Sequence, residues 1–319
     1  MRAFAARIPI STCLIHVLLA TLAIGVMSAS PCGTERASVA NQAPSGAVVA
    51  GARSEAIPEA LERALDLKDP LALADSTLPR LADLDGAQRA EIAEALATWD
   101  VGRRVAAWAF LQVGTPYQLG PLGEEAPPDT DPVIEFRTTD CAVLNLVSAA
   151  LAHTREAGGE REAMALANYR GGRISYATRF HFTTDRLDSS PYYRDITKRV
   201  GGAECRSRTV VLNRRVGGGR WIPIDWSRTR RVYFVPRALG SQFASWHDQG
   251  RLPAAVGVAF VRVARMSDGL DVVHESMLWE GRTFLHASSL TGRVVTMPWT
   301  KFLIGPGRSY DGFVLFEYR

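Results

Sequence analysis

The chain contains no Cys-x-x-Cys pair and no His-Glu-x-x-His. Beyond its first thirty residues it also has no apolar run long enough to cross a bilayer. With only four cysteines (Cys13, Cys32, Cys141 and Cys205), a disulfide-rich scaffold and a cysteine-built zinc ribbon are both excluded. Dense basic charge is missing as well: 37 Lys+Arg stand against 33 Asp+Glu, a net +4, without the footprint of a nucleic-acid binder. No internal repeat is found. What remains is a globular composition, 47% hydrophobic and 22% charged over 319 residues, with mean hydropathy near zero. That length fits roughly two average domains, or one large domain with an appendage. The small positive excess suits an anionic surface or a substrate bearing carboxylates, without choosing between them.

Arg2 and Arg7 precede the apolar stretch Leu14–Met27, and the small residues Ser28, Ala29 and Ser30 follow. Positive, apolar, small is the order of an export signal. Val26 and Ser28 fit the positions before a cleavage site, which defines residues 1–28 as a signal peptide. The stretch of about 14 residues falls short of the roughly 20 that a membrane anchor needs. Pro31 ahead of Cys32 argues against lipidation. The mature chain is therefore expected to be periplasmic or extracellular, with no stable membrane insertion. Residues 29–55 are small and polar and read as a flexible linker. In an oxidising compartment Cys32 and Cys205 can pair, leaving Cys141 free.

Helical spacing runs from Ile57 to about Phe110, broken at Pro70 and Pro79, so residues 56–100 read as short helices packed on a main domain at 101–319. Loops occupy 114–139. Asp140 then stands as a helix N-cap with Cys141 first in the helix, and Val143, Leu144, Val147, Ala150 and Leu151 form one buried stripe. Past residue 205 the rhythm changes to short strands at 209–212, 221–224, 232–235, 256–263, 271–279, 283–287, 293–297 and 312–318. Helices first and an antiparallel sheet second make an α+β fold.

A thiol at a helix start feels unpaired N–H groups and the positive end of the helix dipole, which favour thiolate. Asp140 opposes this, so Cys141 needs a histidine beside it to become a nucleophile. His274 and His286 lie on consecutive strands around a turn at 280–282, and pairing about that turn makes them cross-strand neighbours on one face. A base (His274) held by a polar partner (His286) follows the logic of acyl-transfer triads. Two incidental strand histidines and a buried structural cysteine are the plainer alternative.

The surrounding wording resembles a known family. Gly114-Thr115-Pro116-Tyr117 ahead of Thr139-Asp140-Cys141, with a strand histidine later followed by His286-Ala287, is similar to the NlpC-type papain-like cell-wall hydrolases. Further segments resemble one branch, the N-acetylmuramoyl-L-alanine amidase-like family: Asn168–Gly172, Ser175–Phe182, Asp195–Thr197, Phe234–Arg237, Gly269–His274 and Leu285–Ser289. The resemblance covers about 101–319. It implies a papain-like fold and cleavage of the bond between the muramic lactyl group and L-alanine in peptidoglycan or muropeptides. It also implies Cys141 as nucleophile, His274 as general base, His286 as the orienting member and Tyr117 beside the thiolate, with no metal and no cofactor.

Arg179 and His181, two apart on an extended segment, project to one side, and the resemblance sets them beside the substrate groove with Tyr169 and Arg170. There Arg179 would grip a carboxylate of D-glutamate or diaminopimelate. Glu275 is expected to face away from His274, and Ser276 to share its face. Other readings keep part of this picture: a D-glutamyl–diaminopimelate endopeptidase of the same fold, a catalytically idle peptidoglycan-binding module, and a zinc amidase built from His181, His274 and His286. His153 is read as a surface residue, and a nucleic-acid partner is not expected.

Overall fold

The computed structural model describes residues 56–66, 78–123, 127–129 and 132–319. The expected signal peptide, the linker and Cys32 lie outside the described residues.

Among the described residues three helices come first, α1 (Ala56–Asp66), α2 (Gly86–Ala95) and α3 (Val101–Phe110). A capping box starts α2, where Asp85 Oδ1 accepts from the Gln88 N–H at 2.8 Å while Gln88 Oε1 accepts from the Asp85 N–H at 2.9 Å. Then come α4 (Cys141–His153), α5 (Glu160–Asn168), α6 (Thr183–Ser189), β1 (Tyr193–Asp195) and α7 (Thr197–Gly201). The second half holds β2 (Arg206–Leu212), β3 (Arg228–Pro236), α8 (Phe243–Asp248), β4 (Ala255–Val261) and α9 (Val263–Ser267). It closes with β5 (His274–Trp279), β6 (Thr283–Ser288), β7 (Arg293–Pro298), α10 (Trp299–Ile304) and β8 (Gly312–Tyr318).

The strands form one sheet in the order β2-β3-β8-β4-β5-β6-β7, with β1 also on β8, and every pairing is antiparallel. One face, carrying Met277, Trp279, Leu285, Ala287 and Phe316, packs on the helices. The other face carries Phe260, Phe284 and Phe313 and is covered by Phe243 and Trp246 of α8 and Trp299 and Phe302 of α10. The amino-terminal helices share the first of these cores through Ile57, Leu61, Leu65 and Ile92. The Trp279 indole N–H donates to the Leu65 carbonyl at 3.0 Å, which fastens α1 to the sheet.

Helix α4 is buried from Val143 through Ala152, not along one stripe, because α3, α5, β5 and β6 all pack against it. A helix with so few polar residues belongs inside. Its interior polar groups are satisfied: Ser148 Oγ donates to the Leu144 carbonyl at 2.7 Å, and Asn145 Oδ1 accepts from the Tyr318 hydroxyl at 2.8 Å. His153, expected at the surface, is half-buried at the end of α4, stacked on Tyr192 at 3.8 Å.

The segment 221–224 is not a strand. Asn213 Oδ1 accepts the N–H groups of Trp221 and Ile222 at 3.0 and 2.9 Å, and Pro223 has no N–H to offer a ladder. The 256–263 strand ends at Val261, where α9 takes over, and the 271–279 strand begins only at His274.

Candidate active site

Asp140 caps α4 by accepting the N–H groups of Ala142 and Val143 at 2.9 and 2.8 Å, and its second oxygen accepts the Gly120 N–H at 3.2 Å. Burial pushes this carboxyl up, against those three hydrogen bonds. Cys141 follows as the first helical residue. The backbone N–H groups of Glu275 and Ala142 are near enough to its sulfur for both to favour the thiolate. Burial, then the charges of Asp140 and Glu275, nevertheless push the thiol well above its ordinary range, and the two N–H groups only moderate that. The surroundings alone therefore hold Cys141 protonated at neutral pH.

Glu275 directly follows His274, so the sulfur sits at the opening residues of β5. The three-residue loop at 280–282 has Glu280 and Gly281 at φ 50° and 67° and sets the register Leu278↔Phe284 and Met277↔Leu285. Continued by one step, that register puts Ser276 across from His286, and His274 becomes its diagonal neighbour on the same face. The imidazole centroids are 5.5 Å apart, nearly perpendicular at 84°. His286 is packed between Phe284 at 4.7 Å and Phe302 at 5.6 Å, and this burial lowers its pKa to about 4. Its Nδ1 has no hydrogen-bond partner among the described residues. Ser276, which shares this face, turns its hydroxyl to the Val258 carbonyl at 3.3 Å.

Two neighbours carry no motif in the sequence. The Tyr310 ring lies nearly parallel to His274 at 6.3 Å, and its hydroxyl is pushed up to about 12 by burial, eased by Arg262 and reinforced by Cys141. That electrostatic coupling brings Tyr310 into the neighbourhood of the thiol. The other is Glu275, whose side chain turns from the histidine face into the helices. There it is held by Arg186 at 2.5 Å, Thr183 at 2.6 Å and Asn145 at 3.4 Å. Tyr117 is half-buried on a segment bridged in parallel to Thr139, its own N–H donating to Gly292 at 2.8 Å and that of Gln118 to Thr139 at 2.9 Å.

The four residues expected along the groove are each held by partners within the chain. Arg179 is 2% exposed, its fork closed on Asp129 at 2.9 and 2.5 Å, with Nη2 also reaching the Leu122 carbonyl at 2.9 Å and the Tyr169 hydroxyl at 3.0 Å. The carboxylate it grips is the chain's own. Tyr169 is buried beneath it, and that burial raises its hydroxyl to about 12. Arg170 reaches Asp185 at 2.7 Å, where Arg228 and Arg230 converge at 2.7 and 3.1 Å. His181 bonds the Tyr176 carbonyl at 2.7 Å through Nε2 and, by burial, has its pKa lowered to about 4.

Among the described residues, no three or more His, Cys, Asp or Glu side chains converge as a metal site, and no helix is long and apolar enough to cross a membrane. The Cys205 thiol donates to the Thr197 carbonyl at 3.2 Å.

Comparison with known proteins bears on the whole constellation. A crystal structure of a protein from Legionella pneumophila str. Philadelphia 1 superposes with a TM-score of 0.59 at 18% identity, covering 73% of this chain and 94% of the other. That of an N-acetylmuramoyl-L-alanine amidase from Bacteroides uniformis ATCC 8492 gives 0.50 at 16% identity, covering 69% and 99%. Both likenesses are of fold. No curated protein sequence matches. The model of the AmiA-like family, described as N-acetylmuramoyl-L-alanine amidase-like, matches residues 107–305, a span that holds the capped thiol and both sheet histidines. On that match the chain belongs to the N-acetylmuramoyl-L-alanine amidase-like family of hydrolases.

Proposed function

We propose that this protein is exported and hydrolyses the amide joining the muramic lactyl group to L-alanine in peptidoglycan or muropeptides, through the Cys141 thiolate and a thioester. What supports the reading is that Cys141 opens a buried helix and that its thiol is eased toward the thiolate by the N–H of Glu275, the residue next to His274. Family membership supports an amide as the bond attacked.

The electrostatics define how the nucleophile forms. Because burial and two carboxylates oppose a standing thiolate, the proton passes to His274 as Sγ attacks the lactyl carbonyl carbon. His286 stays neutral near pH 7, and its Nδ1 offers an acceptor that can hold the His274 ring in one tautomer. The Cys141 backbone N–H, at the helix start, serves the tetrahedral oxyanion, with Tyr117 flanking the site. His274 then gives its proton to the departing alanine amine, and the thioester remains. Water, deprotonated by His274, attacks that thioester and releases the lactyl carboxylate and the free thiol.

The test is incubation of the chain lacking residues 1–28 with purified muropeptides, the products read by mass. Free stem peptide, abolished by Cys141→Ala, is the expected result. Release of only the terminal diamino acid portion would move the scissile bond to D-glutamyl–diaminopimelate. Binding without any product would leave a recognition module. Activity destroyed by a chelator but indifferent to thiol alkylation would overturn the cysteine mechanism.

A further inference from the structure

An arginine subsite for a carboxylate is expected of this substrate class, yet Arg179 is buried on Asp129 and cannot supply it. A different pair is available. An open cavity of about 340 Å³ is lined by Arg206, Ser207, Arg208, Phe234, Val263 and Asp311. Arg206 and Arg208 are exposed, and neither makes an ion pair among the described residues. They alternate on β2, where Arg206 pairs with Phe234 and Arg208 with Val232 of β3, so both side chains leave the same face of that hairpin. Two forked cations on a firm ladder suit a carboxylate.

Two residues of the cavity wall are chain neighbours of residues grouped around His274. Val263 follows Arg262, whose guanidinium lies 5.3 Å over the Tyr310 ring, and Asp311 follows Tyr310, which is stacked on His274. An extended peptide advances about 3.3–3.6 Å per residue, so the third residue of a stem lies roughly 10 Å from the scissile bond. Asp311 is exposed, and its Oδ2 is fixed by the Val263 N–H at 2.7 Å. A carboxylate on that wall opposes a bare polyanion and suits a ligand that carries an ammonium beside its carboxylate.

Building on the proposed hydrolysis, we infer that this cavity is the subsite for the side-chain carboxylate and ammonium of a diamino acid in the stem peptide. Arg206 and Arg208 take the carboxylate, and Asp311 takes the ammonium. The double variant Arg206→Gln, Arg208→Gln keeps its fold, checked by an unchanged melting temperature, because both side chains are exposed. It raises KM roughly 10- to 100-fold, the worth of a lost charge-assisted pair, for a muropeptide whose stem reaches diaminopimelate. It leaves kcat, and the KM for a stem ending at D-glutamate, unchanged. Equal losses on both substrates, or none on either, overturn the assignment. Asp311→Asn weakens the same substrate and loses its effect once the side-chain ammonium is acetylated; an equal effect on both forms removes Asp311 from the site. If the wild type cleaves nothing, the hydrolytic reading fails, and the subsite is then decided by calorimetry with the free stem tripeptide. Binding that the double variant abolishes upholds it, and absent or unaltered binding overturns it.

Discussion

Replacing Arg186 by Met isolates the energetics beneath the thiol. Arg186 and Glu275 are 2% and 3% exposed, and their charged atoms meet at 2.5 Å. The guanidinium also lies 5.0 Å over the Tyr193 ring, so the pair is enclosed by protein. Removing one partner of such a pair strands the other charge in the interior. At an effective dielectric near 20 the lost attraction is about 4 kcal/mol, and measured losses for broken buried pairs run at about 3–5 kcal/mol. Thr183 and Asn145 still hold the carboxylate of Glu275, which favours the lower part of that range. The double variant Arg186→Met, Glu275→Leu removes both charges together and should cost far less than the single one, with a coupling energy of at least about 2 kcal/mol. Urea unfolding of the two single variants, the double variant and the wild type measures this cycle. A single-variant loss below about 1 kcal/mol, or additive losses, would refute the reasoning.

Asp140→Asn keeps an acceptor for the Ala142 and Val143 N–H groups but deletes a charge that raises the Cys141 thiol. Its pH profile for iodoacetamide labelling should move to lower pH, and an unmoved profile would remove Asp140 from the thiol's electrostatics. His286 and His181 both have folded pKa values lowered by burial to about 4, against an ordinary value of 6.5. Above pH 6.5 both states are neutral and nothing is gained or lost. Between pH 6.5 and 4 the unfolded chain takes up protons that the folded chain refuses, so stability falls, by roughly 2–3 kcal/mol for each histidine. Urea midpoints across that interval check it, and a midpoint that rises with acid would contradict the sign. In Gly257→Ala a new methyl carbon would come within 2.0 Å of the Phe316 ring, in the middle of the sheet. Differential scanning calorimetry should find a loss of about 3 kcal/mol from this overpacking.

What could be read along the chain was local. The Asp140–Cys141 helix start, the turn between His274 and His286 and the strand Gly312–Tyr318 each depend on neighbours a few residues apart, and the structure keeps all three. Partners distant in the chain leave no such local mark. Arg179 finds Asp129 across 50 positions and Glu275 finds Arg186 across 89, and no spacing rule reports such partners. Segment 221–224 has the composition of a strand, but an asparagine side chain took its N–H groups. Tyr310 reaches the site only because the sheet brings the start of β8 beside β4, and β4 beside the start of β5.

The hydrogen bond from the Trp279 indole to Leu65 bears on how the protein should be cut for laboratory work. The family match opens at residue 107, midway along α3, whereas α1 seals Leu61 and Leu65 into the same interior as the far end of the histidine strand. An expression clone trimmed to the matched boundary would bisect one helix and unroof that tryptophan, so its insolubility would be a property of the scissors rather than of the enzyme. Clones opening ahead of Ala56 retain α1 and its bond to Trp279.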